Sequence, residues 1–528
     1  MIGIFRIEFN ESTLIKKGFF FLFFFLSINS YWTQIKNNSF SYFHSIDLDN
    51  DITHPSIRPY LESSQYKSIE SIKDTNGHGV ESKFVKKLFH ESLIDVHEKD
   101  VSLTVDPLFN FTIGPKNQLE DYYYSFNVRG FRITGDITSK VSFETRFYES
   151  QFFYPDYLRE RSKNRGTNDN TIDAIAFGVG RAKNFKNNGL DAGLANGYVS
   201  FSPIEKINFQ LGHGRHFFGS GYRSLLLSDY APDYPYISGQ YFLLDGKLLY
   251  KHVTAWLTNL YRMPASSTVE SLFIPKAANF NQLSFHPVEK LSFSLFEGAI
   301  YNTYNSQEGR RSPMVGFYLP VIGSGLLPKD SLKTTNLIYG INWTYKILNE
   351  LLIYNQYSVR SSNKIGLQLG LKWMKPFGLK KSFVNVEYNT VPTALYSMDS
   401  VNTYQRYGHL NHELAHPLGS GFSELGLKAN LCYKRVFFRM NYNYALVDKQ
   451  SSNNYVSNQV FTSNEDMGFS ISEQQSIVFF NPSLGLYFNS ETNMELSIGY
   501  LNRRFNEQTE NYIMFTWRTY LKNDYFDQ

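Results

Sequence analysis

A segment rich in chemically versatile residues spans positions 212–237 and reads GHGRHFFGSGYRSLLLSDYAPDYPYI. Its closely spaced glycines, Gly212, Gly214 and Gly219, are the first feature to test, because glycine-rich loops bind phosphate. They do not complete a G-x-G-x-x-G pattern, since position 217 is Phe. No helix is predicted after the preceding strand, so no helix dipole would face the anion. The glycines therefore indicate a bend at a strand end and not a nucleotide site.

The same segment holds four potential metal ligands, His213, His216, Asp229 and Asp233. A spacing of three residues puts two histidines on one face of a helix, but in a strand it directs their rings to opposite faces. A zinc site would therefore need the loop to fold back on itself. A calcium site formed by Asp229, Asp233 and loop carbonyl oxygens stays open, because calcium binds oxygen ligands.

A third interpretation of this segment is a sugar-binding surface. Tyrosine rings offer flat apolar faces to pyranose rings, while Asp and Arg form forked hydrogen bonds with hydroxyl groups and acidic sugars. The predicted polysaccharide-binding residues are Arg215, His216, Tyr222, Arg223, Asp229, Tyr230, Asp233 and Tyr234. The alternative is a loop, exposed or folded inward, that only packs on itself.

A second cluster, YGHLNHELAHPL at 407–418, contains the H-E-x-x-H pattern in His412, Glu413 and His416. In zinc metalloproteases this pattern lies on a helix, with both histidines on one face and the glutamate as general base. Here Pro417 follows at once and the pattern lies in a predicted loop, so a stable catalytic helix is not expected. A surface metalloprotease and an incidental loop metal site formed by these three residues remain open alternatives.

The composition is rich in aromatic residues and poor in charged ones. Aromatic residues make up 17% of the 528 residues and charged residues only 19%. Tyr and Trp suit membrane interfaces, because one end of each side chain is apolar and the other polar. The formal net charge is only +4 and no dense basic tract occurs, so nucleic acid is not a predicted partner. The single cysteine, Cys432, excludes a disulfide framework and a cysteine-based zinc site.

The N-terminal residues predict export. Lys16 and Lys17 precede the apolar run GFFFLFFFL at 18–26, which is too short to span a bilayer as a helix. We expect a signal peptide over residues 1–30. Residues 31–100 are predicted to form a small periplasmic segment, partly disordered and partly helical.

From residue 101 onward, apolar and polar residues alternate, which indicates strands with one apolar and one polar face. TNMELSIGY at 492–500 is an example. Short turns, such as those in FSPIEKINF at 201–209 and FHPVEKLSF at 285–293, alternate with long connections. This asymmetry is typical of an all-β transmembrane outer-membrane barrel, and counting predicts an antiparallel barrel of about 18 strands over 101–528. A soluble all-β protein is the alternative. The apolar stretch at 309–325 is expected to fold into the lumen as a constriction.

Two stretches carry a resemblance to a known family. Residues 193–236 resemble the RemB group of gliding-motility proteins of Bacteroidota, which is similar to the wider Wzi family of capsule-assembly outer-membrane proteins. Residues 89–114, FHESLIDVHEKDVSLTVDPLFNFTIG, are similar to the same group. The resemblance implies an eighteen-stranded barrel with a small periplasmic helical part. It implies capsular polysaccharide attachment for Wzi-like members and surface gliding for RemB-like members, and it brings no catalytic residues.

The sequence therefore predicts a non-enzymatic, cofactor-free protein of a Gram-negative outer membrane with its long loops at the cell surface. Its predicted role is polysaccharide or capsule attachment or assembly, gliding motility and adhesion. The predicted partners are outer-membrane lipid and lipopolysaccharide, surface polysaccharide and gliding-motility proteins. A porin or substrate channel with an open lumen is the alternative from the transport class; loops at 301–336 and 391–423 that plug the lumen would argue against it.

Overall fold

The computed structural model describes most of the predicted barrel and parts of the chain before it. The described residues are 36–37, 42–45, 53–59, 61–62, 85–87, 91–116, 122–138, 140–164, 174–262, 273–305, 309–328, 334–360, 364–396, 405–448, 474–489, 492–519 and 522–527. The predicted signal peptide lies outside them.

Eighteen long strands dominate the described residues. They are β1 (Val101–Lys116), β2 (Tyr123–Ile137), β3 (Val141–Phe153), β4 (Gly189–Ile204), β5 (Ile207–Gly214), β6 (Tyr234–Leu243), β7 (Leu248–Arg262), β8 (Phe273–Val288), β9 (Leu291–Asn302), β10 (Thr335–Leu348), β11 (Leu351–Arg360), β12 (Ile365–Met374), β13 (Phe383–Val391), β14 (Phe422–Tyr433), β15 (Val436–Asp448), β16 (Gln474–Asn489), β17 (Met494–Phe505) and β18 (Gln508–Arg518).

Each long strand pairs antiparallel with the next, and the last strand closes the sheet on the first. In that closing pair Phe515 lies opposite Ile113 and Arg518 opposite Asn110. A closed sheet has no free edge, so every strand can satisfy its backbone polar groups within the barrel wall. The fold is an antiparallel outer-membrane β-barrel, as the alternation and the turn pattern predict.

The two faces of the wall differ as the period-two pattern requires. The outward face exposes large apolar side chains along the strands. Examples are Val199, Leu211, Ile237, Trp256, Leu295, Ile341, Leu369, Val386, Leu425, Leu484, Ile498 and Phe515. The inward face carries buried polar side chains, among them Gln210, Gln240, Lys251, Gln282, Ser294, Asn342, Gln356, Gln368, Glu387, Glu424, Arg439 and Glu495. This is the pattern of a barrel that faces lipid outside and encloses a polar lumen.

Connections at the two ends of the barrel differ in length. At one end, the short-turn end, strands are joined by turns such as that between β4 and β5 and that between β14 and β15. In the latter turn Lys434 adopts a φ of 55°, the left-handed conformation of tight hairpin turns. At the other end, the long-loop end, connections run to about 30 residues, as between β9 and β10.

Smaller elements complete the described structure. The helices are Tyr42–Ser45 and Asp156–Asn164, with 3-10 turns at Val315–Tyr318, Ser324–Leu326 and Pro376–Gly378. The minor strands are Lys36–Asn37, Ile57–Arg58, Leu61–Glu62, Ile94–Glu98, Ala174–Ala176, Gly180–Phe185, Phe217–Phe218, Tyr304–Asn305, Gly309–Arg310, Gly408–His409 and His412–Glu413. Among the described helices, none has the length and apolar character that a bilayer crossing needs.

Candidate functional site in the barrel lumen

The loop between β5 and β6, residues 215–233, folds into the lumen at the long-loop end. Its three consecutive leucines, Leu225, Leu226 and Leu227, are fully buried. A Cβ on Gly340 would lie 2.1 Å from a methyl carbon of Leu226, so this lumen-facing position of β10 accepts the leucine only because it is a glycine. The loop is therefore a packed part of the lumen.

An ion pair joins the two ends of this loop. The Nε of Arg215 donates to Oδ1 of Asp233 at 2.6 Å, and its terminal nitrogens donate to the carbonyls of Asp229 and Gly178 at 2.9 and 3.0 Å. Burial raises the pKa of Asp233, but Arg215 and the amide of Asn196, 2.7 Å away, outweigh burial, so the pKa lies below its ordinary value. The pair holds the base of the loop closed.

A second buried ion network anchors the middle of the loop to the far wall. A terminal nitrogen of Arg223 donates to Asp527 at 2.8 Å and to Glu424 at 3.2 Å. The backbone N–H groups of Tyr222 and Arg223 donate to the carboxylate of Glu387 at 3.0 and 3.2 Å. Buried charges of both signs thus neutralise one another in the lumen.

The residues after β18 turn back into the lumen and contact the same loop. Asp229 accepts hydrogen bonds from Asn523, at 2.7 Å, and from the hydroxyl of Tyr525. The ring of Tyr525 stacks on that of Tyr222 with a centroid separation of 5.3 Å and meets Tyr230 edge-on at 5.8 Å. We call residues 522–527 the C-terminal tail. Its contacts with Asp229, Tyr222 and Tyr230 hold the loop in the lumen.

Residues 53–59, which precede β1, also enter the lumen. Ile57 and Arg58 pair antiparallel with Phe218 and Phe217 of the loop. His54 lies 2.9 Å from Ser284 Oγ and 2.7 Å from the carbonyl oxygen of Gly246. Burial lowers the pKa of His54 to about 4. The predicted division of the chain at residue 100 stays a prediction.

All eight predicted polysaccharide-binding residues lie in this assembly, and each is buried. The structure brings Arg215 together with Asp233, and it gathers Tyr222, Tyr230 and Asp229 around the C-terminal tail. Tyr234 instead packs in the apolar core, and its hydroxyl oxygen accepts from the backbone N–H of His216 at 3.2 Å, while the His216 ring meets that of Tyr236 edge-on at 4.5 Å. Burial lowers the pKa of His216. Direct sugar contact by the eight residues stays a prediction, and it requires the loop to leave the lumen.

The sequence reasoning missed the partners that hold the loop, namely Glu387, Glu424, Tyr525 and Asp527. Two of them had a detectable signal, because Glu387 and Glu424 occupy lumen-facing positions of strands, where a carboxylate needs a buried cation. The tail residues had none, since no local pattern links a residue after the last strand to Arg223, 304 positions earlier.

The H-E-x-x-H residues do not form the arrangement of a zinc protease. His412 and Glu413 lie in a short strand that pairs with Gly408–His409, and the pattern therefore has no helix to place both histidines on one face. His416 Nε2 is 2.7 Å from Glu424, and His412 Nδ1 is 2.9 Å from the carbonyl oxygen of Leu410. Among the described residues, no group of three or more His, Cys, Asp or Glu side chains could hold a metal ion.

No protein-family model matches the chain, and no curated protein matches it. Among solved structures it resembles Wzi of Escherichia coli, a carbohydrate-binding outer-membrane barrel involved in group 1 capsule assembly. That match has a TM-score of 0.54 at 13% identity and covers 93% of this chain and all of Wzi. OprD of Pseudomonas aeruginosa matches at a TM-score of 0.42 and 12% identity, over 82% of this chain and 97% of its own. The chain thus has the barrel fold that Wzi also has.

Proposed function

We propose that the protein is a non-enzymatic barrel of the outer membrane that binds an acidic surface polysaccharide at its long-loop end. The observation that carries the proposal is the lumen filled by the loop 215–233, which buried ion pairs tie to the wall and to the C-terminal tail. Because the loop occupies the lumen, the long-loop end is the surface at which we expect a ligand to bind. The fold shared with the carbohydrate-binding Wzi supports the same role.

A basic hairpin on this rim offers a binding surface for such a glycan. The strands Ala174–Ala176 and Gly180–Phe185 form the hairpin, which continues into β4. Arg181, Lys183 and Lys186 are exposed on it. The Arg181 guanidinium lies 5.4 Å from the centre of the Phe273 ring, so charge and an apolar face occur together. Cations beside aromatic rings suit acidic sugars, which present carboxylates and apolar ring faces.

Binding of purified acidic capsular polysaccharide to the full chain tests this proposal. We expect binding that weakens with salt, and a loss of most binding in R181Q/K183Q/K186Q, because three charges are removed at one surface. The matched control K206Q/K290Q/K434Q removes three exposed charges at the short-turn end and should bind as the parent does. Absence of binding at low salt would refute the function. Unchanged binding by the triple variant would refute this hairpin as its site.

A role in surface motility and adhesion is a second candidate, favoured by the resemblance of residues 193–236 to RemB proteins. Deletion of the gene, with measurement of capsule retention and colony spreading, separates the two roles. Loss of capsule alone supports glycan attachment, and loss of spreading alone supports motility. Single-channel conductance of the purified chain in planar bilayers tests the porin alternative, for which an open lumen would be needed.

A further inference from the structure

An exposed apolar segment follows β9. Residues 313–328, PMVGFYLPVIGSGLLP, contain no charged residue. Six large apolar side chains of this segment are each at least 45% exposed, and Val315 is 83% exposed. They are Met314, Val315, Leu319, Val321, Leu326 and Leu327. We call residues 313–328 the apolar segment. Exposed apolar side chains in such a contiguous stretch mark a surface that contacts something other than water.

The apolar segment lies against the outside of the barrel wall, not in the lumen. Its buried Phe317 packs with Ala299 of β9 and Leu337 of β10. Ala299 shares a strand face with the exposed Leu295, whereas Phe296 points into the lumen core. The prediction of a lumen constriction at 309–325 is therefore wrong, and the described residues 309–328 of the loop 301–336 do not plug the barrel. Apolar side chains pack both in the lumen and on the lipid-facing wall, so apolar character alone did not distinguish the two sites.

Three buried polar side chains of the wall lie under the apolar segment, on the outward face. Asn279 donates to the carbonyl of Phe317, and Asn281 donates to that of Val321 at 3.4 Å. Glu297 accepts from the backbone N–H of Gly325 at 3.0 Å and from that of Gly323. Irregular backbone at membrane depth is stable only where other groups of the protein satisfy its N–H and C=O groups. These side chains supply that function.

A second row of polar side chains fixes the orientation of the two asparagines. Asn281 Oδ1 accepts from the hydroxyl of Tyr250 at 2.8 Å and lies 2.6 Å from His252 Nδ1. Asn279 Oδ1 accepts from the hydroxyl of Thr254 at 2.9 Å. With both carbonyl oxygens engaged by the wall, both amide groups point toward the apolar segment. The wall thus orients both amide groups to donate hydrogen bonds to the backbone of the apolar segment.

Along the barrel axis, the polar patch of Asn279, Asn281 and Glu297 lies at the same level as the exposed apolar side chains of the neighbouring strands. Thr254 pairs directly with Ile237 of β6, which shows the same outward face and is 49% exposed. Trp256, two residues further along β7, is exposed on that face as well. Below the patch, Leu295 continues the apolar surface on β9. The apolar segment therefore covers a polar gap in a belt that is otherwise apolar.

We propose that residues 313–328 are inserted into the membrane and that their exposed side chains contact the acyl chains of the bilayer. The wall residues Asn279, Asn281 and Glu297 replace water for the inserted backbone. Arg310 and Arg311 precede the segment next to the end of β9, with Arg311 Nε donating to the carbonyl of Asn302 at 2.8 Å. Cations at that level suit the phosphates of lipid headgroups.

Site-specific fluorescence in lipid vesicles tests the insertion. In a Cys432→Ser background, cysteine is introduced as Val315→Cys or Val321→Cys and labelled with an environment-sensitive fluorophore. The labelled full chain is reconstituted into vesicles that contain lipids brominated on their acyl chains. Leu295→Cys on the wall is the positive control, and Lys206→Cys in a water-exposed turn is the negative control. We expect blue-shifted emission and loss of most of it to the brominated lipids at both test positions, as at position 295.

Emission in the range of the Lys206→Cys control, without quenching by brominated lipids, would overturn the insertion. A segment that binds a protein partner and not lipid would give the same result, because the vesicles contain no such partner and the barrels in them are widely separated. A second variant tests the role of the wall. Asn279→Leu/Asn281→Leu leaves two inserted carbonyls unsatisfied, so quenching at position 321 should fall toward that of the negative control while position 295 stays quenched. Equal quenching at position 321 in this variant would refute the role of the asparagines.

Discussion

The substitution Arg223→Met probes the ion network that anchors the lumen loop. The Arg223 side chain is 2% exposed, and its partners Glu424 and Asp527 are each 1% exposed. Methionine keeps much of the apolar volume but leaves two buried carboxylates with less compensation. Removal of one partner of a buried ion pair destabilises proteins by about 3–5 kcal/mol. Because His416 still faces Glu424 at 2.7 Å, we expect a loss near the lower end, about 3 kcal/mol.

Urea-induced unfolding in lipid vesicles, followed by the fluorescence of the five tryptophans, measures this loss. The double variant Arg223→Met/Asp527→Asn should recover part of it, since one uncompensated charge is removed with the arginine. The control Lys206→Met breaks an ion pair with Asp245 in which both side chains are more than 60% exposed, and its effect should stay below about 1 kcal/mol. An Arg223→Met barrel as stable as this control would refute the reasoning.

Three further predictions concern the contents of the lumen. Because burial lowers the pKa of His54 from 6.5 to about 4, docking of residues 53–59 should be complete above pH 6.5 and weaken as the pH falls toward 4. Protease cleavage of this stretch should follow that pH window and lose the pH dependence in His54→Phe. Gly340→Val should expel the loop that carries Leu226, because the new Cβ overlaps that leucine, and proteolysis within 215–233 should increase with the barrel intact. Asp229→Ala should release the C-terminal tail, seen as faster cleavage after β18 at unchanged far-UV circular dichroism, and normal protection would contradict the role given to Tyr525.

The strands were predictable because a barrel wall in a membrane needs apolar and polar residues to alternate along each strand. This pattern is visible in the sequence of each strand alone. The contents of the lumen were not predictable, because they depend on contacts such as that of Arg223 with Asp527, between residues distant in sequence. The apolar segment shows a different limit. Its own composition suits any dry environment, and the informative residues lie elsewhere. Asn279, Asn281 and Glu297 stand at outward positions of β8 and β9, where an isolated strand in lipid would carry apolar side chains.

The contact between Asp527 and Arg223 also has a consequence for the order of assembly. A ribosome makes Asp527 304 residues after Arg223, and Tyr525 follows Asp229 by 296. The loop therefore cannot reach its final packing until synthesis has passed the last strand. Contacts of such long separation form late and slow the folding of β proteins. Protease resistance of residues 215–233 should therefore appear only once the last strand and the C-terminal tail are present.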